Sequence, residues 1–227
     1  MKGFFRFPHT PHLAWLGPGA PRDDKVLSPS EAQTLLSGDV IVEEKVDGAN
    51  LGISLDVDGQ LRFQNRGRYL EAPFAGQFSR LGSWIGQHGH LMEDVLGPGL
   101  ILFGEWGAAR HSIAYDRLPD WFLVFDVYDF TAGQFWSTSR RDALARRLGL
   151  QVVPQLLRGR TTLAALTEQV SNGSSRLTDG RPEGVVVQRE GAEVLQARAK
   201  LVHPRFVQAI DEHWSRRRME WNQTSPA

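Results

Sequence analysis

A lysine at the end of an apolar run and directly before an Asp-Gly turn is placed as a nucleophile, and Lys45-Val46-Asp47-Gly48-Ala49-Asn50 supplies one. An amine attacks only in its neutral form. An unperturbed lysine, with a pKa of about 10.4, is almost wholly protonated at neutral pH, so a catalytic Lys45 needs burial or a neighbouring cation to disfavour its charge. The alternative is an ordinary Asp-Gly hairpin with a solvent-exposed lysine, and six residues alone do not separate the two.

The surrounding elements must hold that amine in place. Asp39 to Glu44 reads as a strand whose apolar run ends in acids, and Leu51 to Val57 alternates like a second strand. Val40 to Lys45 and Leu51 to Val57 are therefore predicted to pair as a hairpin, with Gly48 giving the backbone freedom to reverse closely around a ligand. Gln60 to Asn65, after the Asp58-Gly59 turn, is predicted as a third strand near the lysine. Phe78 to Val95 has the spacing of an amphipathic helix interrupted by glycines, and Leu100 to Phe103 and Trp121 to Phe130 read as strands joined by a polar loop from Gly107 to Asp120. Further helices are predicted at Pro29 to Leu36 with Ser28 as cap, at Thr138 to Leu148 and at Thr161 to Val170, with Val152 to Leu157 as a strand between the last two. After the Asp179-Gly180-Arg181-Pro182 turn come a hairpin of Gly184 to Arg189 with Glu193 to Ala199, and a helix from about Pro204 to Met219. This mixture implies an α+β fold with largely antiparallel sheets flanked by helices. A single domain over residues 1–227 is expected, with 1–38 as a Pro- and Gly-rich arm and 204–227 as a closing helix and tail.

Composition narrows the chemistry. With 227 residues the chain can bury a sizeable core, and no apolar run approaches the roughly 20 residues that cross a bilayer. The N-terminus lacks an export signal, so a cytoplasmic location is expected, and no membrane partner is. The absence of cysteine excludes disulfides, thiolate metal sites and cysteine nucleophiles. Seven histidines show no metal-ligand spacing. A formal net charge of zero argues against a chain coated in positive charge, but leaves room for local basic faces. Arg62, Arg66 and Arg68 form one cluster; Arg198, Lys200, Arg205, Arg216, Arg217 and Arg218, against Asp211 and Glu212, form another.

Five segments in chain order carry a resemblance. Lys45-Val46-Asp47-Gly48, Leu102-Phe103-Gly104-Glu105-Trp106, Phe122-Leu123-Val124-Phe125-Asp126-Val127, Pro182-Glu183-Gly184-Val185-Val186-Val187 and Ala197-Arg198-Ala199-Lys200-Leu201 resemble the nucleotidyltransferase motifs of covalent ligases and capping enzymes. The similarity spans roughly Val40 to His203, includes the loop from His111 to Phe122, and is specifically to RNA ligases of the RNA ligase 2 type. Asn50 stands where DNA ligases and capping enzymes commonly have arginine and RNA ligases of this type commonly have asparagine.

The resemblance implies a nucleotidyltransferase domain, ATP as cosubstrate and Mg²⁺ or Mn²⁺ as metal. It also implies three steps: adenylylation of the enzyme, transfer of AMP to a 5′-phosphate RNA end, and attack by a 3′-hydroxyl with release of AMP. Lys45 is the expected nucleophile, with its pKa lowered by a cation such as Lys200. Asp47 is expected either to position the turn or to assist catalysis, and Asn50 to contact the α-phosphate or hold substrate. Glu105 resembles the acid that binds the ribose, Phe125 the aromatic that stacks on adenine, and Glu183 the carboxylate that organises the metal. Arg66 resembles the arginine that contacts the nucleotide phosphate or the end being joined, with Arg68 on the same strand face as a substitute. Glu43 and Glu44 flank the adenine pocket, and Glu44 is carried as the nucleotide-binding one. Lys200 and Arg198 are expected to face the phosphates, although the family pattern is usually Lys-x-Lys and the chain has arginine at the first position.

Only about one helix follows Lys200, so no separate OB-fold domain is expected. RNA ends, nicked or single-stranded, are the implied partners, gripped by Arg216 to Arg218 or with help from an end-healing kinase and phosphatase. The competing readings are a minimal ATP-dependent DNA ligase and a catalytically inactive end-binding module.

Overall fold

The computed structural model describes residues 3–19, 21, 25–209 and 219–225. Eleven strands and five helices appear among them: α1 (Pro29–Leu36), β1 (Val40–Lys45), β2 (Ala49–Leu55), β3 (Leu61–Gln64), β4 (Tyr69–Leu70), α2 (Leu81–Val95), β5 (Leu100–Trp106), β6 (Phe122–Asp129), β7 (Gln134–Phe135), α3 (Thr138–Arg147), β8 (Gln151–Val152), β9 (Gln155–Gly159), α4 (Leu163–Asn172), β10 (Gly184–Glu190), β11 (Leu195–Val202) and α5 (Pro204–Ala209). Arg216, Arg217 and Arg218, with Asp211 and Glu212, lie outside the described residues, as does most of the helix expected up to Met219.

Two sheets organise the α+β fold. One has the order β11-β10-β1-β9; the other runs β4-β3-β2-β5-β6-β7, with β8 parallel to β6. All other strand pairs are antiparallel. Alternation gives each sheet one apolar outer face. Val40, Val42, Val185, Val187 and Leu201 of the smaller sheet pack with Ala32 and Leu35 of α1 and Leu166 and Val170 of α4. Leu51, Ile53, Leu102 and Val124 of the larger sheet pack with Leu81, Trp84 and Met92 of α2, with Leu144 of α3 and with Leu148 at its C-terminal cap. Helix α1 starts with Ser28 as its cap, as predicted, and Glu31 completes a capping box with it.

The predicted hairpin around Lys45 does not form. β1 pairs with β9 and β10 in one sheet, whereas β2 pairs with β3 and β5 in the other, so Val46-Asp47-Gly48 carries the chain from sheet to sheet. The freedom expected of Gly48 is not what the turn uses, since its φ is not positive. Its lack of a side chain matters instead: a Cβ there would lie 2.6 Å from the carbonyl oxygen of Trp106. The predicted strand Val152 to Leu157 also splits. Val153 N–H donates to Val124 O of the larger sheet at 3.0 Å, and Pro154 O accepts from Glu44 N–H of the smaller one at 2.9 Å, a second crossing.

The N-terminal arm spans the gap between the sheets. Phe5 stacks on Tyr128 and Phe7 packs against Phe103 and Phe125 of the larger sheet. At the other end, Lys200 N–H donates to Pro11 O and Leu13 N–H to Lys200 O, tying the arm to β11.

Candidate active site

The inner faces of the sheets enclose a cleft of about 850 Å³, mouth included. Strand alternation sets its lining. Glu43 and Lys45 of β1, Val186 and Gln188 of β10, and Arg198 and Lys200 of β11 share one face of the smaller sheet, in register as Glu43–Val186–Lys200 and Gln188–Arg198. Asn50, Glu105 and Phe125 face them from the larger sheet. A second, more open cleft is lined by Asn65, Arg66, Gly67, Arg68, Gln77 and His111, and it shares Lys45, Asn50, Arg66 and Glu105 with the first. Lys45 thus stands where the two meet.

Its amine donates to Glu183 Oε2 at 2.7 Å, with the two side chains 25% and 14% exposed. Burial would lower the Lys45 pKa, but the carboxylates of Glu183, Glu105 and Asp47 together outweigh it and hold the amine above the ordinary lysine value. The expectation of a lowered Lys45 is therefore corrected for the free protein: three acids surround the amine, and the positive charge of Lys200 is felt at Glu183. Glu105 and Glu183 are both pushed up to about 7, first by burial and against the pull of Lys45. Crowded carboxylates raised in this way gain from a cation. Among the described residues no group of three His, Asp or Glu could hold a metal ion. A divalent cation here would therefore use Glu183, water and phosphate oxygens, the mode in which Mg²⁺ is commonly held.

The turn is fixed from its far side. Asp47 Oδ2 accepts from Ser112 N–H at 2.6 Å and Ile113 N–H at 3.0 Å, while Asp47 N–H donates to the Tyr115 hydroxyl at 2.8 Å. Gly48 N–H donates to Glu105 Oε1 at 3.0 Å, so the β5 acid also braces the turn. His111 hydrogen-bonds Gln77 at 2.8 Å and lies 3.9 Å from Asp47 Oδ1. Burial lowers the His111 pKa, Asp47 opposes this and Lys45 adds to it. The sequence reading gave no role to His111 or Tyr115, because only the fold brings their loop to Asp47.

Asn50 lies opposite Glu105, and its Oδ1 is buried without a hydrogen-bond partner. Arg66 Nε is likewise buried and unpaired. Arg66 and Arg68 do not share a strand face as expected. β3 ends at Gln64, and both arginines sit in a turn closed by Asn65 Oδ1, which accepts from Gly67 and Arg68 N–H.

Of the two acids left open by the sequence, Glu43 shares the face of Lys45, where it joins a buried network. Arg141 of α3 binds Glu43 through both terminal nitrogens at 2.6 and 3.0 Å and donates to Phe125 O at 2.8 Å, and Gln188 donates to Glu43 at 2.7 Å. Glu44 borders the cleft, but its carboxylate accepts from Ser175 Oγ and Arg176 N–H, away from that face. Arg198 also borders the cleft. Its guanidinium pairs closely with Asp126 and lies 4.2 Å from the Phe135 ring centre, so it is held by the protein rather than left to phosphate. Lys200 lines the cleft wall. Phe125 packs edge-on against Phe7 at 5.3 Å, and together they form the apolar wall.

The sequence model of the RNA ligase family matches residues 38–202. No curated protein sequence matches the chain. Among solved structures, Naegleria gruberi RNA ligase with pyrophosphate superposes with a TM-score of 0.62 at 19% identity, over 80% of this chain and 54% of that one. A point variant of that ligase with ATP and Mn gives 0.67 at 16% over 92% and 59%, and another with AMP and Mn gives 0.63 at 15% over 90% and 57%. The chain spans between half and three-fifths of the length of these ligases. At these identities the likeness establishes the shared fold; Lys45 and the strand residues that line the cleft lie inside the family match, and Phe7, His9 and Thr10 lie before it.

Proposed function

The chain belongs to the RNA ligase family, and from that premise we propose that it uses ATP to join 5′-phosphate and 3′-hydroxyl RNA ends through a lysyl-AMP on Lys45. The observation that carries this reading is the position of Lys45 between two clefts. One has the apolar wall and acceptors suited to a nucleotide; the other is lined by arginines suited to phosphate.

In the first step the Lys45 amine loses a proton and bonds to the α-phosphorus of ATP, and the bond to pyrophosphate breaks. The ion pair with Glu183 is therefore a resting arrangement, since an ammonium has no lone pair to give. A divalent cation bound through Glu183 would offset phosphate charge and withdraw that carboxylate from the amine. Phe125 and Phe7 would hold the base, Glu105 the ribose, and Lys200 with Asn50 the α-phosphate. In the second step an oxygen of the RNA 5′-phosphate displaces Lys45 from the AMP, entering beside Arg66. In the third, a 3′-hydroxyl attacks the 5′-phosphorus and AMP leaves. Such ends would be supplied by a kinase and a phosphatase acting on broken RNA. The lack of cysteine is compatible with a reducing compartment, and we assign the cytoplasm.

Incubation with α-labelled ATP and Mg²⁺ should place label on the protein, stable in alkali and released in acid as a phosphoramidate is, and Lys45→Ala should abolish it. Sealing should then occur on RNA ends. An unlabelled wild-type protein would leave only an end-binding module, and efficient sealing of all-DNA nicks with none of RNA would assign a DNA ligase instead.

A further inference from the structure

Loop 107–118 between β5 and β6 contains no helix or strand, yet Ala108, Ala109, Ile113, Tyr115 and Leu118 are buried in it. Buried backbone groups require partners, and residues 219–225 provide them. Arg110 N–H donates to Glu220 O at 2.9 Å, Asn222 N–H to Ala108 O at 2.9 Å, Gln223 N–H to Tyr115 O at 3.0 Å and Ser225 N–H to Leu118 O at 2.8 Å. Asn222 is itself buried and adds its carboxamide: Oδ1 accepts from Tyr115 N–H at 2.9 Å, and Nδ2 donates to Gly107 O at 2.8 Å. A carboxamide accepts and donates at once; an aspartate would leave the Gly107 carbonyl without its donor. Trp221 fastens the segment further, because the Arg80 guanidinium lies over Trp221 at 4.2 Å and over Trp121 at 4.8 Å.

The same loop grips the lysine turn. Tyr115, held at its backbone by Asn222 and Gln223, accepts the Asp47 N–H through its hydroxyl, and Ser112 and Ile113 hold the Asp47 carboxylate. A continuous path of hydrogen bonds thus runs from Asn222 through Tyr115 to Asp47, two residues from Lys45. Asn222 lines neither cleft.

We propose that residues 219–225, acting through Asn222, set the position of Lys45 for attack on the nucleotide, with Asn222 and Tyr115 as positioning residues. This deepens the lysyl-AMP reading and rests on it. A nucleophile displaced by an ångström reacts far more slowly while the binding walls for base and ribose stay intact. The effect should therefore fall on the rate at saturation and not on the concentration of ATP needed to reach it.

The test is single-turnover self-labelling of the full chain with α-labelled ATP, as a function of ATP concentration, for Asn222→Ala, Tyr115→Phe and the double variant. Each single variant should slow the maximal rate by roughly ten- to a hundredfold, while half-saturating ATP moves by less than about threefold. The double variant should be little slower than the worse single one, because both break one path. If variants with lowered melting temperatures label at the wild-type rate per folded molecule, the segment is only a structural staple and the proposal is overturned. Should Asn222→Ala not fold, Tyr115→Phe, which keeps the buried ring, decides by the same readout. A wild-type chain that takes no label overturns the lysyl-AMP reading itself; one that labels beside unslowed variants overturns the positioning role alone.

Discussion

Arg141 offers the most demanding test of how the cleft is built. Its side chain is 2% exposed, as is that of Glu43, and its terminal nitrogens contact both Glu43 oxygens. Replacing it with methionine strands the Glu43 carboxylate in the interior, a loss of about 3–5 kcal/mol for a broken buried pair. The Phe125 carbonyl loses a donor as well, for about 1 kcal/mol more. Asp142 is about a third exposed, so water replaces its lost partner. For a chain of this size about 1 kcal/mol moves the melting temperature by about 2–4 °C, so Arg141→Met should melt lower by roughly 8–24 °C. The deficit should depend on pH in a defined direction. Burial already holds the Glu43 carboxyl above its ordinary 4.5 in spite of Arg141. A carboxyl raised in the folded state keeps its proton at pH values where the unfolded chain has released it, so stability falls as pH rises through that window. Removing Arg141 extends the window upward. Urea titrations should therefore show the Arg141→Met deficit narrowing as pH drops from about 8 to about 5, and Glu43→Gln combined with Arg141→Met should recover most of the loss. A deficit below about 1 kcal/mol that does not change with pH would refute the buried pair and the cleft floor built on it.

Three further outcomes follow from the same geometry. Gly48→Ala places a Cβ 2.6 Å from the Trp106 carbonyl oxygen, so it should destabilise by about 1–3 kcal/mol and lower self-labelling; a variant of normal stability and rate would contradict the tight crossing. Because burial pushes the Glu183 carboxyl up to about 7, the Mn²⁺ concentration for half-maximal labelling should rise roughly tenfold from about pH 8 to about pH 6, and a flat requirement would remove that carboxylate from metal binding. Glu183→Gln should make Lys45 more reactive towards an amine-directed acylating reagent without ATP while depressing labelling by ATP. A fall in both would argue against the Lys45–Glu183 ion pair.

Lys45, Asn50, Glu105, Phe125 and Lys200, which all line the cleft, were legible because their types and order are local properties of the chain, whereas Phe7 and Gln188 were not. Helix α1 was readable for the same reason, since Ser28 and Glu31 cap it within one turn. Strand partners were not. The Asp-Gly signal suggested a hairpin, but a turn sequence does not say which strands lie across the sheet, and here the pairing is decided by residues more than a hundred positions away. Arg141 was invisible for a related reason: on a helix rich in arginine it reads as a solvated charge until Glu43 is placed opposite. The contribution of 219–225 could not be read either, because its hydrogen bonds are made by backbone and one carboxamide rather than by a motif.

The pairing of β1 has a consequence for the order of events during synthesis. Both neighbours of the lysine strand, β9 and β10, come from residues 155–190, and the Glu183 partner of Lys45 lies 138 residues further along the chain. Contacts so distant in sequence form late, since the loop between them must close first. Before residue 155 has been made, the larger sheet can assemble from β2 to β6, but Lys45 has no sheet to stand in. Lys45 therefore takes its place between β9 and β10, and beside Glu183, only when residues 155–190 have been made.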